Sequence, residues 1–266
     1  MLLESEVVML EVISIKALKN NYIWILVNTS TKTCAVIDPG DAVPIISFIQ
    51  DNAFTLTAIL TTHHHFDHTQ GISLLMQHHP AIIYGPKDEF IPQITHVLQE
   101  GDQVTLSSLR TELKVLSIPG HTLGHIAYYN SKMLFPGDTL FGAGCGRLFE
   151  GTPQDMYSSL EKLASLPNDT LIYSAHEYTL RNLRFASRVE PNNKVIKCRI
   201  SECLQLSKEQ KPTLPSTIEL EKASNPFLRC HLPDVIAAAK KREKNISEDP
   251  VEVFGVIRKW KDDFFA

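Results

Sequence analysis

Apolar residues follow two different rhythms along the chain. Over the first two-thirds they come as short, β-branched runs. The runs at residues 12–17, 22–27 and 34–37 are separated by Asn- and Thr-rich turns and predict consecutive strands. Residues 41–50 predict a helix, residues 55–60 a strand, and residues 72–76 imply another helix. Further strands are expected at residues 82–84, 113–118, 127–129, 133–135 and 171–173. Gly151-Thr152-Pro153-Gln154-Asp155 has the form of a helix start, with Thr152 as N-cap, Pro153 in the first helical position and Asp155 in the third. That helix should run to about residue 165.

From about residue 178 the apolar positions recur at three- and four-residue steps. Residues 180–189, 193–206, 216–223, 235–242 and 250–260 predict helices, and Val253, Ile257, Trp260 and Phe264 mark one apolar face of the last. Strands mixed with helices, then helices alone, predict an α/β domain at residues 1–177 and a smaller all-helical domain at residues 178–266.

Composition narrows the class. The 266 residues are 43% hydrophobic and 21% charged, which excludes a disordered chain. No apolar run approaches the ~18 residues needed to cross a bilayer. A net charge of −4 supplies no basic stripe for a nucleic acid. The five cysteines are widely spaced and lack a CxxC pair, which argues for a reducing, cytoplasmic setting. The opening MLLESEVV carries Glu4 and Glu6 and no basic residue, unlike a signal or transit peptide, and Met9 offers an alternative start. Two clusters, Lys240-Lys241-Arg242 and Arg258-Lys259-Trp260-Lys261, are locally basic. A solvated helix face and a pocket for an anionic ligand both account for such clusters.

Four of the eleven histidines lie in Thr62-His63-His64-His65-Phe66-Asp67-His68, directly after the strand at residues 55–60. Loops at strand ends are where a rigid sheet positions chemistry. His63 and His65 are two apart and point the same way in an extended loop, whereas Asp67 and His68 come where the chain turns into a helix and can face a second point. Neutral imidazole and carboxylate suit divalent ions. His64 and Phe66 are read as spacers, with Phe66 packing inward. His121, Asp138 and His176 each follow an apolar strand, in Pro119-Gly120-His121, Pro136-Gly137-Asp138 and Tyr173-Ser174-Ala175-His176. Each alone is an ordinary turn residue; together with the heptapeptide they make a set of seven candidate ligands. His125 is expected to hydrogen-bond locally.

The heptapeptide matches the T-H-x-H-x-D-H signature of the metallo-β-lactamase superfamily, and within it the chain resembles the glyoxalase II, or hydroxyacylglutathione hydrolase, family. The supporting phrases are Pro119-Gly120-His121-Thr122, the run from Gly137 to Arg147, His176-Glu177-Tyr178-Thr179, Asn225-Pro226-Phe227-Leu228-Arg229 and the terminal Arg258–Lys261. The resemblance implies an αββα sandwich with a C-terminal helical domain and a site for two divalent ions, zinc first and iron or manganese as alternatives. It assigns His63, His65 and His121 to one ion, Asp67, His68 and His176 to the other, and Asp138 to both, where it holds the attacking hydroxide. It places glutathione against Arg147, Phe149, Tyr178, Arg258 and Lys261. Arg147 stands where some members carry Lys, and Phe149 where some carry Tyr, which removes one hydrogen bond to the peptide.

The implied activity is hydrolysis of S-D-lactoylglutathione to D-lactate and glutathione, the second step of methylglyoxal detoxification, by a cytoplasmic monomer with no nucleic-acid or membrane partner. Alternatives are a mononuclear-iron glutathione-persulfide dioxygenase, which usually lacks the helical tail, and a non-catalytic metal-binding module, which needs neither Asp138 nor the basic tail. A metallo-β-lactamase or a nuclease of the superfamily fits less well.

Overall fold

The computed structural model describes residues 10–264. The acidic opening segment and Met9 lie outside the described residues. Two compact units divide the chain, one ending at Val115 and the other beginning at Leu116.

The first unit is built on a six-stranded sheet in the order β1 to β6. β1 (Leu10–Ala17), β2 (Asn21–Asn28) and β3 (Thr33–Ile37) are antiparallel. Every residue of β2 is buried, as its near-continuous apolar run requires of a strand covered on both faces. α1 (Val43–Asn52) then crosses to β4 (Thr55–Leu60), which pairs parallel with β3. α2 (Phe66–Thr69) and α3 (Ile72–His78) lead to β5 (Ile82–Pro86) and the short β6 (His96–Leu98), both again parallel to their neighbours. Ile45 and Ile49 of α1 and Ile72 and Leu75 of α3 share one core with Ile25, Val36 and Ile59 of the sheet. Asp67 and His68 therefore sit on a helix of their own, α2, and not at the start of the helix expected at residues 72–76. β7 (Gln103–Leu106) forms an antiparallel hairpin with β8 (Thr111–Ser117), which carries the chain across the boundary at Val115.

The second unit holds the strands β9 (Ile126–Tyr129), β10 (Met133–Phe135), β13 (Leu171–Ile172) and β14 (Ser216–Thr217), and a small hairpin of β11 (Leu140–Phe141) and β12 (Gly144–Cys145). β10 and β13 are parallel; β9 and β14 flank them antiparallel. Between hairpin and β13 lies α4 (Pro153–Ala164), whose capping box is formed: Thr152 accepts from the Asp155 amide and the Asp155 carboxylate accepts from Thr152. α5 (Thr179–Val189), α6 (Lys194–Lys208), α7 (Ile218–Ser224), α8 (Pro233–Arg242) and α9 (Pro250–Phe264) complete the unit.

Two features of this unit depart from the pattern of the sequence. Residues 216–217 form β14 before Thr217 caps α7, so the last third is not helical alone. The compositional change near residue 178 also falls inside a single core: Leu134 and Ile172 of the strands pack with Leu160, Phe185, Phe227 and Phe254 of the helices. Helices whose apolar faces cover a sheet belong to the sheet's unit, whatever their sequence texture.

One cluster of buried polar groups ties the helices to the hairpin. The fully buried Glu221 carboxylate accepts from Arg199 Nη2 and Ser216 Oγ, each at 2.6 Å, and from the Ala143 amide at 2.7 Å. Asn225 Nδ2 donates to Gly144 O at 2.9 Å. The helical residues thus hold the backbone of the β11–β12 hairpin. Replacing Arg199 with Met strands a buried carboxylate and is expected to lower stability by about 3–5 kcal/mol, measured as a fall in the urea midpoint at unchanged slope. A loss under about 1 kcal/mol would place the pair in solvent, where such pairs contribute little.

Candidate metal centre and substrate pocket

The seven candidate ligands divide between the units, four in the first and three in the second. In the first unit, the parallel strands β3 and β4 end side by side, and the Asp38 amide donates to Leu60 O at 2.9 Å. Asp38 adopts a left-handed φ of 50°, a conformation that Asp tolerates better than most side chains. Its buried carboxylate accepts from the Thr62 amide and hydroxyl, each at 2.8 Å, and from His68 Nδ1 at 3.1 Å. Because the Thr62 hydroxyl donates to Asp38, it accepts from His63 Nδ1 at 3.0 Å. Both imidazoles thus carry their proton on Nδ1 and present Nε2 as a lone pair. His63 Nε2 stands 3.1 Å from His65 Nδ1, and Asp38, His63 and His68 converge within 4.8 Å. Asp67 Oδ2 accepts from Asn21 Nδ2 at 2.9 Å.

Phe66 does not pack inward: it is 73% exposed. On the short α2, Asp67 and His68 face the converging groups, and the first helical residue is left to point outward. His64 turns away to the Glu89 carboxylate.

In the second unit, the parallel β10 and β13 run out at the same end, and Asp138 and His176 follow them. His176 Nε2 lies 3.2 Å from Asp138 Oδ1, and His121 Nε2 lies 3.4 Å from Asp138 Oδ2. One carboxylate thus has an imidazole against each oxygen. His121 Nδ1 donates to Arg147 O at 2.8 Å, again leaving Nε2 as the acceptor. A Cβ at position 146 would stand 2.0 Å from the backbone O of Asp138, so Gly146 is what allows the end of β12 to close on the Asp138 backbone. His125 makes the local hydrogen bond expected of it, Nδ1 donating to Ile126 O, and in addition its Nε2 accepts the Asp138 amide at 3.2 Å, fixing the loop that carries Asp138.

Beside Asp138 opens a cavity of about 320 Å³, lined by Phe141, Cys145, Arg147, Phe149, Tyr178, Arg258 and Lys261 among others. All five residues expected to contact glutathione line it. The Tyr178 ring stacks on His176 at 4.8 Å, and Phe149 meets His121 edge-on at 5.2 Å. The Asp262 carboxylate lies 3.3 Å from Arg147 and 3.0 Å from Arg258, and Arg258 Nη1 also donates to Cys145 O at 2.9 Å. Burial pushes the Cys145 thiol up, with Arg258 pulling the other way, so Cys145 stays a thiol and forms wall rather than nucleophile. Arg181 and Asn182 also line the cavity. Both were missed in the sequence, although Asn182 lies four residues beyond Tyr178 on one helix face. The basic clusters have different surroundings: Lys240 pairs with Glu248 at 2.7 Å and Arg242 lies over Trp260 at the C-terminal end of α8, where cations are favoured, whereas Arg258 and Lys261 are buried at the cavity.

Residues 19–176 match the metallo-beta-lactamase superfamily, and residues 177–264 match the hydroxyacylglutathione hydrolase C-terminus. The chain is 49% identical over 256 residues to the hydroxyacylglutathione hydrolase of Nitrosomonas eutropha, covering 96% of this chain and 100% of that one. It is 48% identical over 257 residues to that of Vibrio parahaemolyticus, with 96% and 100% coverage. The chain belongs to the hydroxyacylglutathione hydrolase family. Among solved structures, ETHE1 from Myxococcus xanthus aligns with a TM-score of 0.64 at 21% identity, covering 94% of this chain and 98% of that one. The BLEG-1 B3 metallo-beta-lactamase aligns at 0.62 and 23%, covering 83% and 99%. At that identity the likeness concerns the fold alone: α/β metallo-β-lactamase architecture, followed in the hydroxyacylglutathione hydrolase family by a helical domain.

Membership of the family implies divalent metal. The residues fit such ions: every candidate donor is an imidazole nitrogen or a carboxylate oxygen, and Nδ1 of His63, His68 and His121 is engaged as a donor, which leaves each Nε2 as a lone pair. Among the described residues no helix is long and apolar enough to cross a membrane.

Lys261 is the strained member of the pocket. Burial first, then Arg258, lowers its pKa to about 7. Below pH 7 the folded protein therefore bears the full cost of a charged, buried ammonium, and the cost is relieved between pH 7 and the unfolded value near 10.5. Replacing Lys261 with Met should raise the melting temperature most below pH 7, with the gain fading towards pH 10. A gain independent of pH would assign the effect to packing.

Proposed function

We propose that the chain is a dinuclear-metal thioesterase that hydrolyses S-D-lactoylglutathione, and other S-2-hydroxyacylglutathiones, to the hydroxy acid and glutathione. The observation that carries this reading is Asp138, a carboxylate with a different imidazole Nε2 against each of its oxygens. A carboxylate so placed suits a bridge between two cations. In the family pattern His63, His65 and His121 hold one ion, and Asp67, His68 and His176 the other. Zinc suits this donor set best, and iron or manganese is also accepted by it. When bound, such a pair supplies a water acidified from 15.7 to about 7 and a Lewis acid for the thioester carbonyl.

The chain's own residues supply the rest. Asp38, Thr62 and Arg147 O fix the imidazole tautomers, and His125 fixes the Asp138 loop. Arg147, Arg258 and Lys261 make the cavity positive for the carboxylates of the tripeptide, and the first turn of α5 adds the positive end of a helix dipole. Tyr178 and Phe149 border the same space, their rings set against His176 and His121. A thiolate, with a pKa of about 8.5, leaves without a strong general acid, which suits a pocket that holds cations and a neutral thiol. In this reading residues 1–177 are the catalytic part and residues 178–266 the substrate-binding helical part. We place the enzyme in the cytoplasm as a monomer, a setting supported by its free cysteines.

Metal analysis of freshly purified protein, run beside thiol release from lactoylglutathione, tests the reading. Two ions per chain are expected, with turnover lost to a chelator and restored by metal. Replacing Asp138 with Ala should lower kcat at least about a hundredfold. One iron per chain with oxygen uptake and no thiol release would replace the hydrolase with a dioxygenase.

A further inference from the structure

The spacer between the candidate ligands His63 and His65 is itself a histidine, and the fold gives it a partner. One carboxylate oxygen of Glu89, Oε2, accepts from the His64 amide at 3.2 Å and also from His64 Nδ1. The Glu89 side chain is 1% exposed, so its charge is withdrawn from water and the bonds it accepts are correspondingly strong. One atom thus grips both the main chain and the side chain of His64. That fixes where the residue sits and which way it points.

Glu89 is carried by a firm segment. The stretch between β5 and β6 is tied to the sheet by the Lys87 amide, which donates to Leu98 O at 2.9 Å, and by the Thr95 amide, which donates to Ile83 O at 3.0 Å. Ile91 is part of the core of the first unit, Ile94 packs against that core, and Gln93 Nε2 donates to Ser73 Oγ of α3 at 3.0 Å. Folding therefore places the carboxylate, and the carboxylate places His64. On either side the histidine segment has separate anchors: Asp38 holds Thr62, and Thr69 Oγ1 donates to His65 O at 3.1 Å. Glu89 supplies the anchor between them.

Successive side chains of an extended segment point to opposite sides. Holding His64 to one side therefore turns His63 and His65 together to the other, where their ring centres lie 4.7 Å apart and His63 Nε2 stands 3.1 Å from His65 Nδ1. Asp67 and His68 come later, on α2, and are held by Asn21 and Asp38. We propose that Glu89 is a positioning residue for the ion assigned to His63 and His65. It acts through His64 to keep the two imidazoles turned to one point, and it leaves the ion assigned to Asp67 and His68 to other anchors. This rests on the dinuclear reading given above. Without Glu89 the segment would sample several conformations, and the ion would have to order it on binding; with Glu89 that ordering is complete beforehand.

The test is uptake of cobalt(II), which the same nitrogen and oxygen donors accept, by the metal-stripped full chain. Visible absorption and competition with a chelator follow it, so no turnover is involved. The unaltered protein should take up two ions. In Glu89→Ala one dissociation constant should rise about 10- to 100-fold, the range for losing a group that orients metal-bound histidines, while the other changes by less than about threefold. Glu89→Gln keeps an acceptor for the His64 amide and should recover most of the lost affinity. A merely structural role weakens both ions alike, or neither, and either result overturns the proposal. Glu89→Gln binding as weakly as Glu89→Ala also overturns it, since the effect would then be one of charge. If Glu89→Ala does not fold, Glu89→Asp, shorter by one methylene, is read in its place with the same one-ion pattern expected. Fewer than two ions on the unaltered protein would remove the dinuclear reading itself; two ions there and two unweakened in Glu89→Ala would remove only the role of Glu89.

Discussion

An imidazole offers a lone pair to a cation only from a nitrogen that carries no proton, and the protein must decide which nitrogen that is. Much of the polar structure around the candidate ligands follows from this constraint. Asp38 and Thr62 take the Nδ1 protons of His68 and His63, and the Arg147 carbonyl takes that of His121. Each acceptor is held in turn. The Asp38 carboxylate is oriented by the Thr62 amide, and the 147 carbonyl belongs to a segment fixed by the closing of β12 on Asp138. These bonds are buried, where an unmatched donor would cost about 1–3 kcal/mol, so the tautomers are set by folding and not by the ion.

The same logic extends to the pocket wall. The β11–β12 hairpin offers its backbone to side chains of the helices: Phe141 and Gly144 carbonyls to Asn225, the Gly142 carbonyl to Asn182, the Ala143 amide to Glu221 and the Cys145 carbonyl to Arg258. A two-residue strand pair has little stability of its own. Here it is rigid because polar side chains of α5, α7, the following turn and α9 satisfy it. The helices therefore do more than cover apolar surface, and the cations that line the cavity are carried by the elements that hold its wall. Burying Lys261, and placing Arg258 beside it, costs stability, visible in its lowered pKa, and leaves positive charge for an anionic ligand.

The sequence by itself determined the ligand types and their placement at strand ends, because β-branched runs and the turn residues that stop them are local signals. Thr152 and Asp155 announced α4 for the same reason, since a capping box needs only four consecutive residues. It also carried the family, through phrases that span the chain. It could not separate the two basic clusters, because a lysine three residues from an arginine looks the same on a solvated face and in a cavity. Nor could it show that Phe66 points outward, that residues 216–217 add a strand, or that the helical third shares a core with the strands before it. Those outcomes depend on which faces meet. Asn182 illustrates the difference: one asparagine in an amphipathic helix is unremarkable in sequence, and its place in the cavity wall exists only because Gly142 and Gly144 arrive from 38 to 40 positions earlier to meet its amide. Local chemistry was written in the order of residues; which charges are buried, and against what, was decided by packing, because burial is a property of surfaces that only the folded chain brings into contact.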